Sequence, residues 1–252
     1  MRENRLRRLW GAGQKTVNGW LAIPNGFSAE IMAQQGFESL TIDMQHGLVD
    51  YPAAISMLQA ITTTDAVPMV RVPWNEPGII QRVLDAGAYG VICPMINNRA
   101  EAEAFVSVCR YPPRGSRSFG PIRASMYAGA DYFDHANQTV LTLAMIETKQ
   151  AMAALDEILA VDGLDGIYVG PADLSISLGC PPRMDPDHSA VTAAIAEILA
   201  TTKRHGKFAG IHCGSTSCIK KVWSDGFDYA TLLSDARLMA MKTAELMPEL
   251  KA

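Results

Sequence analysis

Two acids, Glu147 and Asp173, follow apolar runs: Leu141-Thr142-Leu143-Ala144-Met145-Ile146 precedes the first, and Gly166-Ile167-Tyr168-Val169-Gly170-Pro171 leads to the second. Carboxylates at two consecutive strand tips suit a divalent cation that keeps coordination positions open for substrate. Asp43-Met44-Gln45-His46 places a carboxylate three residues before an imidazole. Across a turn, that spacing lets Asp43 orient one ring nitrogen while the other faces a cavity, as in a general-base dyad. A buried Asp that only fixes its own loop fits the segment as well. Arg71 ends Val67-Pro68-Met69-Val70, where a guanidinium can clamp a carboxylate, stabilise an oxyanion, or pair with a neighbouring acid.

By the two-residue alternation of a strand, Glu147 shares a face with Met145, so if Met145 points inward the carboxylate does too. Outer-rim exposure is the other reading. Asp173 either holds a cation or caps the short helix that follows it. The Gly170-Pro171-Ala172 turn offers backbone amides at that helix start, where a substrate carboxylate can bind.

These residues need a scaffold that brings distant segments to one mouth. From Val17 onward, short β-rich runs alternate with helical patterns, as in repeated βα units around a parallel sheet. Eight strands are expected: Gly19–Ile23, Ser39–Asp43, Val67–Arg71, Gly90–Pro94, Leu141–Ile146, Gly166–Val169, Phe208–His212 and Asp228–Leu233. Between the third and fourth, Asn75 is the expected cap, Pro77 stands in the first turn, Ile79, Ile80, Val83 and Leu84 repeat at helical spacing, and Gly87 ends the helix. Asp50 and Pro52 open the helix after the second strand, and Ala190–Leu199 is a further helical pattern. Eight such units predict a single α/β domain, a (β/α)8 TIM barrel over residues 1–252, whose catalytic residues come from the ends of several strands.

The chain has 252 residues, is 48% apolar and 19% charged, and carries a net charge of −4. That balance belongs to a compact protein and implies no nucleic-acid partner. No run approaches the ~20 apolar residues of a membrane span, and no signal-peptide core follows the basic start with its four arginines. The reading is a cytoplasmic protein whose N-terminal arginines lie on a solvated helix face. No Walker or Rossmann glycine pattern supports a nucleotide cofactor. The five cysteines, Cys93, Cys109, Cys180, Cys213 and Cys218, show neither zinc-ribbon spacing nor a disulfide framework and read mostly as buried thiols. His212-Cys213 reads as a buried strand end with a hydrogen-bonded histidine in preference to a ligand pair. The longest interruption, Arg110 to Asn137, carries arginines that can attract an anionic substrate, meet a neighbouring subunit, or lie in a solvated turn.

Ile42-Asp43-Met44-Gln45-His46, Val70-Arg71-Val72-Pro73, Ala144-Met145-Ile146-Glu147-Thr148 and Val169-Gly170-Pro171-Ala172-Asp173-Leu174-Ser175 stand in order along the chain. Over roughly Trp20 to Leu233 the chain resembles the class II, metal-dependent pyruvate aldolases of the 4-hydroxy-2-oxoheptanedioate aldolase, or HpcH/HpaI, family. The resemblance implies that Glu147 and Asp173 hold Mg2+, Mn2+ or Co2+, that His46 paired with Asp43 is the base, and that Arg71 touches the keto or enolate oxygen. It implies a homo-oligomer, commonly a hexamer, with C-terminal helices exchanged between neighbours. It also implies that Asp85 reaches the aldehyde site of an adjacent subunit; otherwise Asp85 belongs to the last turn of its helix. Met145 stands where many members carry glutamine, and Gln45 where many carry glutamate. Both features resemble the hydroxy ketoacid aldolase branch, associated with hydroxypyruvate as well as pyruvate.

The expected activity is cleavage or formation of a 4-hydroxy-2-oxo acid from a 2-oxo acid and an aldehyde. Rival readings are Schiff-base chemistry at Lys149, a CoA-thioester lyase or oxaloacetate decarboxylase sharing a metal enolate, and a non-catalytic barrel that binds 2-oxo acids.

Overall fold

The structure, a computed structural model, describes residues 1–251. Eight strands, β1 (Thr16–Leu21), β2 (Ser39–Asp43), β3 (Val67–Arg71), β4 (Gly90–Cys93), β5 (Leu141–Ile146), β6 (Gly166–Val169), β7 (Phe208–Cys213) and β8 (Tyr229–Leu232), close into a barrel. Every neighbouring pair is parallel, and β8 closes on β1 through Thr16–Tyr229 and Gly19–Leu232.

Alternation along these strands sorts side chains into two layers. Leu40, Ile42, Val70, Val91, Ala144, Ile146, Ile167, Val169, Ala209 and Ile211 belong to the apolar cluster beneath the outer helices. Met69, Ile92, Leu141, Leu143, Met145, Tyr168 and Tyr229 form a separate interior cluster. A polar layer crosses the interior too: Ser39 and Thr41 donate to Asn18 Oδ1, and Asn18 Nδ2 donates to Thr231 Oγ1.

β1 starts three residues before its expected start. Thr16 and Asn18 look like loop residues in sequence, yet both are buried and hydrogen-bonded inside the barrel. The helix Pro77–Asp85 is capped by Glu76, not Asn75: Glu76 accepts from the amides of Gly78 and Ile79, while the Asn75 amide donates to Glu101 O. Asp50 caps the helix Tyr51–Ile61 as expected, and the Ala190–Leu199 pattern lies within a helix over Ser189–Arg204.

The N-terminal helix Arg5–Gly11 closes the bottom of the barrel. Leu6 and Trp10 are buried, and Trp10 packs against Phe208 and Tyr229. Its arginines are not all solvated: Arg7 pairs with Asp165 at 2.7 Å and donates to Val140 O.

The long interruption folds into helices Ile122–Ala128 and Tyr132–Thr139 between the β4 crossover and the start of β5, on the face opposite the strand tips. Two of its arginines serve the fold. Arg110 is buried and donates to Val140 O, Gly163 O and Asp165, and Arg117 is buried between Asp85, Tyr132 and Tyr111. Neither reaches an anionic substrate at the barrel mouth.

In the last helix, Asp235–Leu246, only Asp235 is buried, and Met239 and Met241 stand exposed. No helix is long and apolar enough to cross a membrane among the described residues.

Candidate active site

At the C-terminal ends of the strands lies a cavity of about 350 Å³. Trp20, Asp43, His46, Arg71, Met145, Tyr168, Gly170, Pro171, Ala172, Asp173, His212 and Arg237 line it. The alternation that buries Met69 and Met145 inside the barrel also turns Arg71 and Glu147 inward, two residues further along each strand.

Asp43 is the hub of the cationic side. Its Oδ1 accepts from Arg71 Nε at 2.9 Å and from the amides of Gln45 and His46 at 3.0 and 3.1 Å. Its Oδ2 accepts from Arg71 Nη2 at 2.7 Å and Trp20 Nε1 at 3.1 Å. Burial pushes the Asp43 carboxyl up, but the bonds and charge of Arg71, with the His46 amide and the Trp20 indole, hold it below its ordinary value.

This corrects one expectation. Asp43 does not orient the His46 ring; with five donors already on the carboxylate, it holds the backbone of His46 instead. His46 itself is exposed at the cavity wall. Arg71 combines two readings, because it forms a bidentate pair with Asp43 and also lines the cavity, with its guanidinium 4.8 Å from the Trp20 ring centre.

Glu147 and Asp173 form the anionic side. Glu147 is 3% exposed, and its Oε1 accepts the Met95 amide at 2.8 Å. Among the described residues no donor meets its Oε2. A Cβ at Gly170 would come within 2.6 Å of that oxygen, so Gly170 makes the room it occupies. Burial pushes the Glu147 carboxyl up to about 7 and the nearby Asp173 charge adds to this, against the Met95 amide and the more distant Arg71. Asp173 stands in the first turn of the helix Pro171–Ser177, where Gly170 is the N-cap and no side chain caps the end. The capping alternative therefore fails. Two neighbouring carboxylates with oxygens left without donors are a donor set suited to a hard divalent cation.

His212 is the hydrogen-bonded strand-end histidine that the sequence predicts, but its part in a third wall of the cavity, with Tyr168, is not legible there. Tyr168 OH donates to Thr231 Oγ1 at 2.7 Å and lies 3.2 Å from His212 Nδ1, so His212 must supply the proton of that second bond. Burial and the charge of Arg71 push the His212 imidazole down to about 3 and keep it neutral. Trp20 stacks on Tyr168 and meets His212 edge-on. Tyr168 and His212 fall among apolar residues in the sequence, and only barrel closure brings them together. Arg237 enters from the first turn of the last helix, a position no strand-tip rule selects.

Lys149 is exposed at the start of its helix, its amide bound to Ser177, and no lysine lines the cavity among the described residues. Asp85 ends the helix Pro77–Asp85 on the opposite face of the barrel and pairs with Arg117 at 2.7 Å. It does not line the cavity of its own chain.

A family model described as HpcH/HpaI aldolase/citrate lyase matches residues 18–240. This chain belongs to the HpcH/HpaI aldolase/citrate lyase family. A family relative from Rhizorhabdus wittichii, a hydroxypyruvate/pyruvate aldolase, is 41% identical over 99% of this chain and 99% of its own. A 4-hydroxy-2-oxo-heptane-1,7-dioate aldolase of Salmonella arizonae is 36% identical over 94% of this chain and 91% of its own. The crystal structure of an HpcH/HpaI family protein from Burkholderia cenocepacia J2315 superposes with a TM-score of 0.93 at 30% identity, covering all of both chains.

Proposed function

We propose that this chain is a class II pyruvate aldolase, a carbon–carbon lyase that cleaves or forms 4-hydroxy-2-oxo acids from pyruvate or hydroxypyruvate and an aldehyde. The observation that carries this reading is the placement of a fixed guanidinium, Arg71, in one cavity with Asp173 on its wall and, behind Gly170, Glu147, whose Oε2 meets no donor among the described residues. Family membership and full-length similarity to aldolases support it.

Glu147 and Asp173 are the residues that would hold the divalent cation, Mg2+, Mn2+ or Co2+. Such a cation supplies Lewis-acid polarisation of the 2-oxo group when bound. The protein's own side chains do the rest. Arg71, immobilised by Asp43 and Trp20, places positive charge where an enolate oxygen develops, without reorganising during the reaction. His46 takes the 4-hydroxyl proton as the C3–C4 bond breaks, and the aldehyde departs. A proton returned to C3 then yields the 2-oxo acid. The amides of Ala172 and Asp173, in the uncapped first turn after Gly170, bind the substrate carboxylate.

The assembly is read as a cytoplasmic homo-oligomer, a hexamer with exchanged C-terminal helices. The exposed Met239 and Met241 on the last helix and the exposed Phe27 and Ile31 on another are apolar surface for such an exchange. Phe119, Ile122 and Met126 are exposed on the segment beside Asp85, consistent with Asp85 serving the aldehyde site of a neighbouring subunit.

Steady-state cleavage and synthesis with pyruvate and hydroxypyruvate across an aldehyde panel, with and without Mn2+, test the reading. Cation-dependent turnover is expected. Turnover unaffected by chelation, or inactivation by borohydride in the presence of pyruvate, would point to Schiff-base chemistry instead.

A further inference from the structure

Outside the candidate active site, three ligand-bearing side chains from separate segments meet at the rim of β7. Cys213 ends β7 and is fully buried, and Cys218 stands in the first turn of the helix Thr216–Asp225. Asp185 comes from the connection between the helices Pro171–Ser177 and Ser189–Arg204. The two sulfurs and a carboxylate oxygen of Asp185 lie within 4.8 Å of one another.

The site is built, not a chance approach of surface groups. The Gly214 amide donates to Asp185 Oδ1 at 2.6 Å, which anchors the carboxylate. A Cβ at Gly214 would lie 3.1 Å from Met184 Cβ and 3.4 Å from both Asp185 oxygens, so glycine lets this segment close onto β7. Ser215 caps the helix by accepting the Cys218 amide, which fixes Cys218 beside Cys213. Both cysteines are free thiols.

We infer that Asp185, Cys213 and Cys218 form a second cation site, specific for a thiophilic divalent ion of the zinc class and distinct from the oxygen-donor site at Glu147 and Asp173. Two thiolates and one carboxylate are the donors such ions prefer, and a tetrahedral ion keeps a fourth position for water. Hard ions such as Mg2+ are excluded by the sulfur donors. Each thiol releases its proton to solvent as the ion binds.

The site also touches the cavity wall. Cys213 directly follows His212, and Met184, next to Asp185, lines the cavity. A bound ion ties the 184–185 segment to β7 and so fixes that wall. The inference stands independently of the aldolase reading, because it concerns a different set of ligands and a different class of ion.

Cd2+ titration of the full-length, reduced protein, read by the ultraviolet thiolate-to-metal charge-transfer band, tests the site. Carboxylates give no such band, so occupancy at Glu147 and Asp173 does not contribute. The expected result is one Cd2+ per chain, a band removed by Zn2+ and untouched by Mg2+, and its loss in both C213S and C218S. The band should persist in C180S and in E147Q, and Asp185→Asn should require more Cd2+ to reach the same band. Because Cys218 is only partly buried, C218S leaves the core intact, and its circular dichroism should match the parent. No band at excess Cd2+, or a full band in folded C218S, would overturn the inference.

Discussion

Met95, with a backbone φ of +55°, donates its amide to Glu147 Oε1 at 2.8 Å. A positive φ is uncommon for a residue with a side chain, and it sits here just beyond β4, where it turns one amide onto a buried carboxylate. One oxygen of Glu147 is thereby fixed, while the other lies in the space left by the missing side chain of Gly170.

The position of that free oxygen depends on the absence of a side chain at 170. Gly170→Ala places a Cβ 2.6 Å from Glu147 Oε2 and 3.1 Å from Met145 Cε. The variant should fold, since the contacts are with side chains, yet bind Mn2+ more weakly by roughly 10–100-fold, as for disturbed support around a metal ligand. Calorimetric titration checks this; unchanged Mn2+ affinity would show that Glu147 Oε2 is not a ligand.

Glu147 also sets a pH dependence. Its folded pKa, about 7, lies above the ordinary carboxyl value of 4.5, so between these values the folded state holds a proton that the unfolded chain releases. Without cation, stability should be fully present below about 4.5 and decline as pH rises toward 7, by on the order of 3 kcal/mol. Saturating Mn2+ competes with that proton and should remove the decline. It should also move the acid limb of activity to lower pH as its concentration rises. Denaturant melts at several pH values, with and without Mn2+, report both effects; an acid limb insensitive to Mn2+ concentration would contradict the assignment.

The Asp43–Arg71 pair is buried, with five donors on one carboxylate. Asp43→Ala leaves the Arg71 charge unpaired and should destabilise the protein by about 3–5 kcal/mol while lowering turnover. The sign of the pH effect is opposite to that of Glu147. The lowered Asp43 pKa contributes stability above 3.8 that is lost as pH falls through its folded value. Thermal melts of the variant check the magnitude, and a wild-type melting point would mean that the pair is dispensable.

His46 lines the cavity and is not among the proposed cation ligands, so His46→Ala should lower kcat by roughly 10²–10⁴-fold, the usual worth of a general base. Mn2+ affinity should be retained. Parallel turnover and binding measurements separate the two, and loss of Mn2+ binding would place His46 among the ligands instead.

The barrel was legible because each strand is a short apolar run bounded by helix signals, and β2, β3, β5 and β6 begin and end at the expected residues. β1 was less so, because Thr16 and Asn18 serve a polar interior layer that composition cannot distinguish from a loop. Asp173, Arg71 and His46, read from their strand-tip positions, line one cavity, and Glu147 lies beside it against Gly170. The Asp43–His46 link was misread because a three-residue spacing lets a carboxylate reach backbone amides as readily as a ring. His212 and Tyr168 required knowledge of which strands face one another, and Cys213 with Cys218 required the helix cap at Ser215.

If Glu147 and Asp173 hold a divalent cation, the 2-oxo acid is activated only in its presence. The most direct measurement is deuterium exchange into the methyl group of pyruvate, followed by proton NMR in D2O with Mg2+, for the parent chain and E147Q. Exchange in the parent that stops on chelation and is absent from E147Q is the expected result. Exchange that continues without cation, or at the parent rate in E147Q, would contradict it.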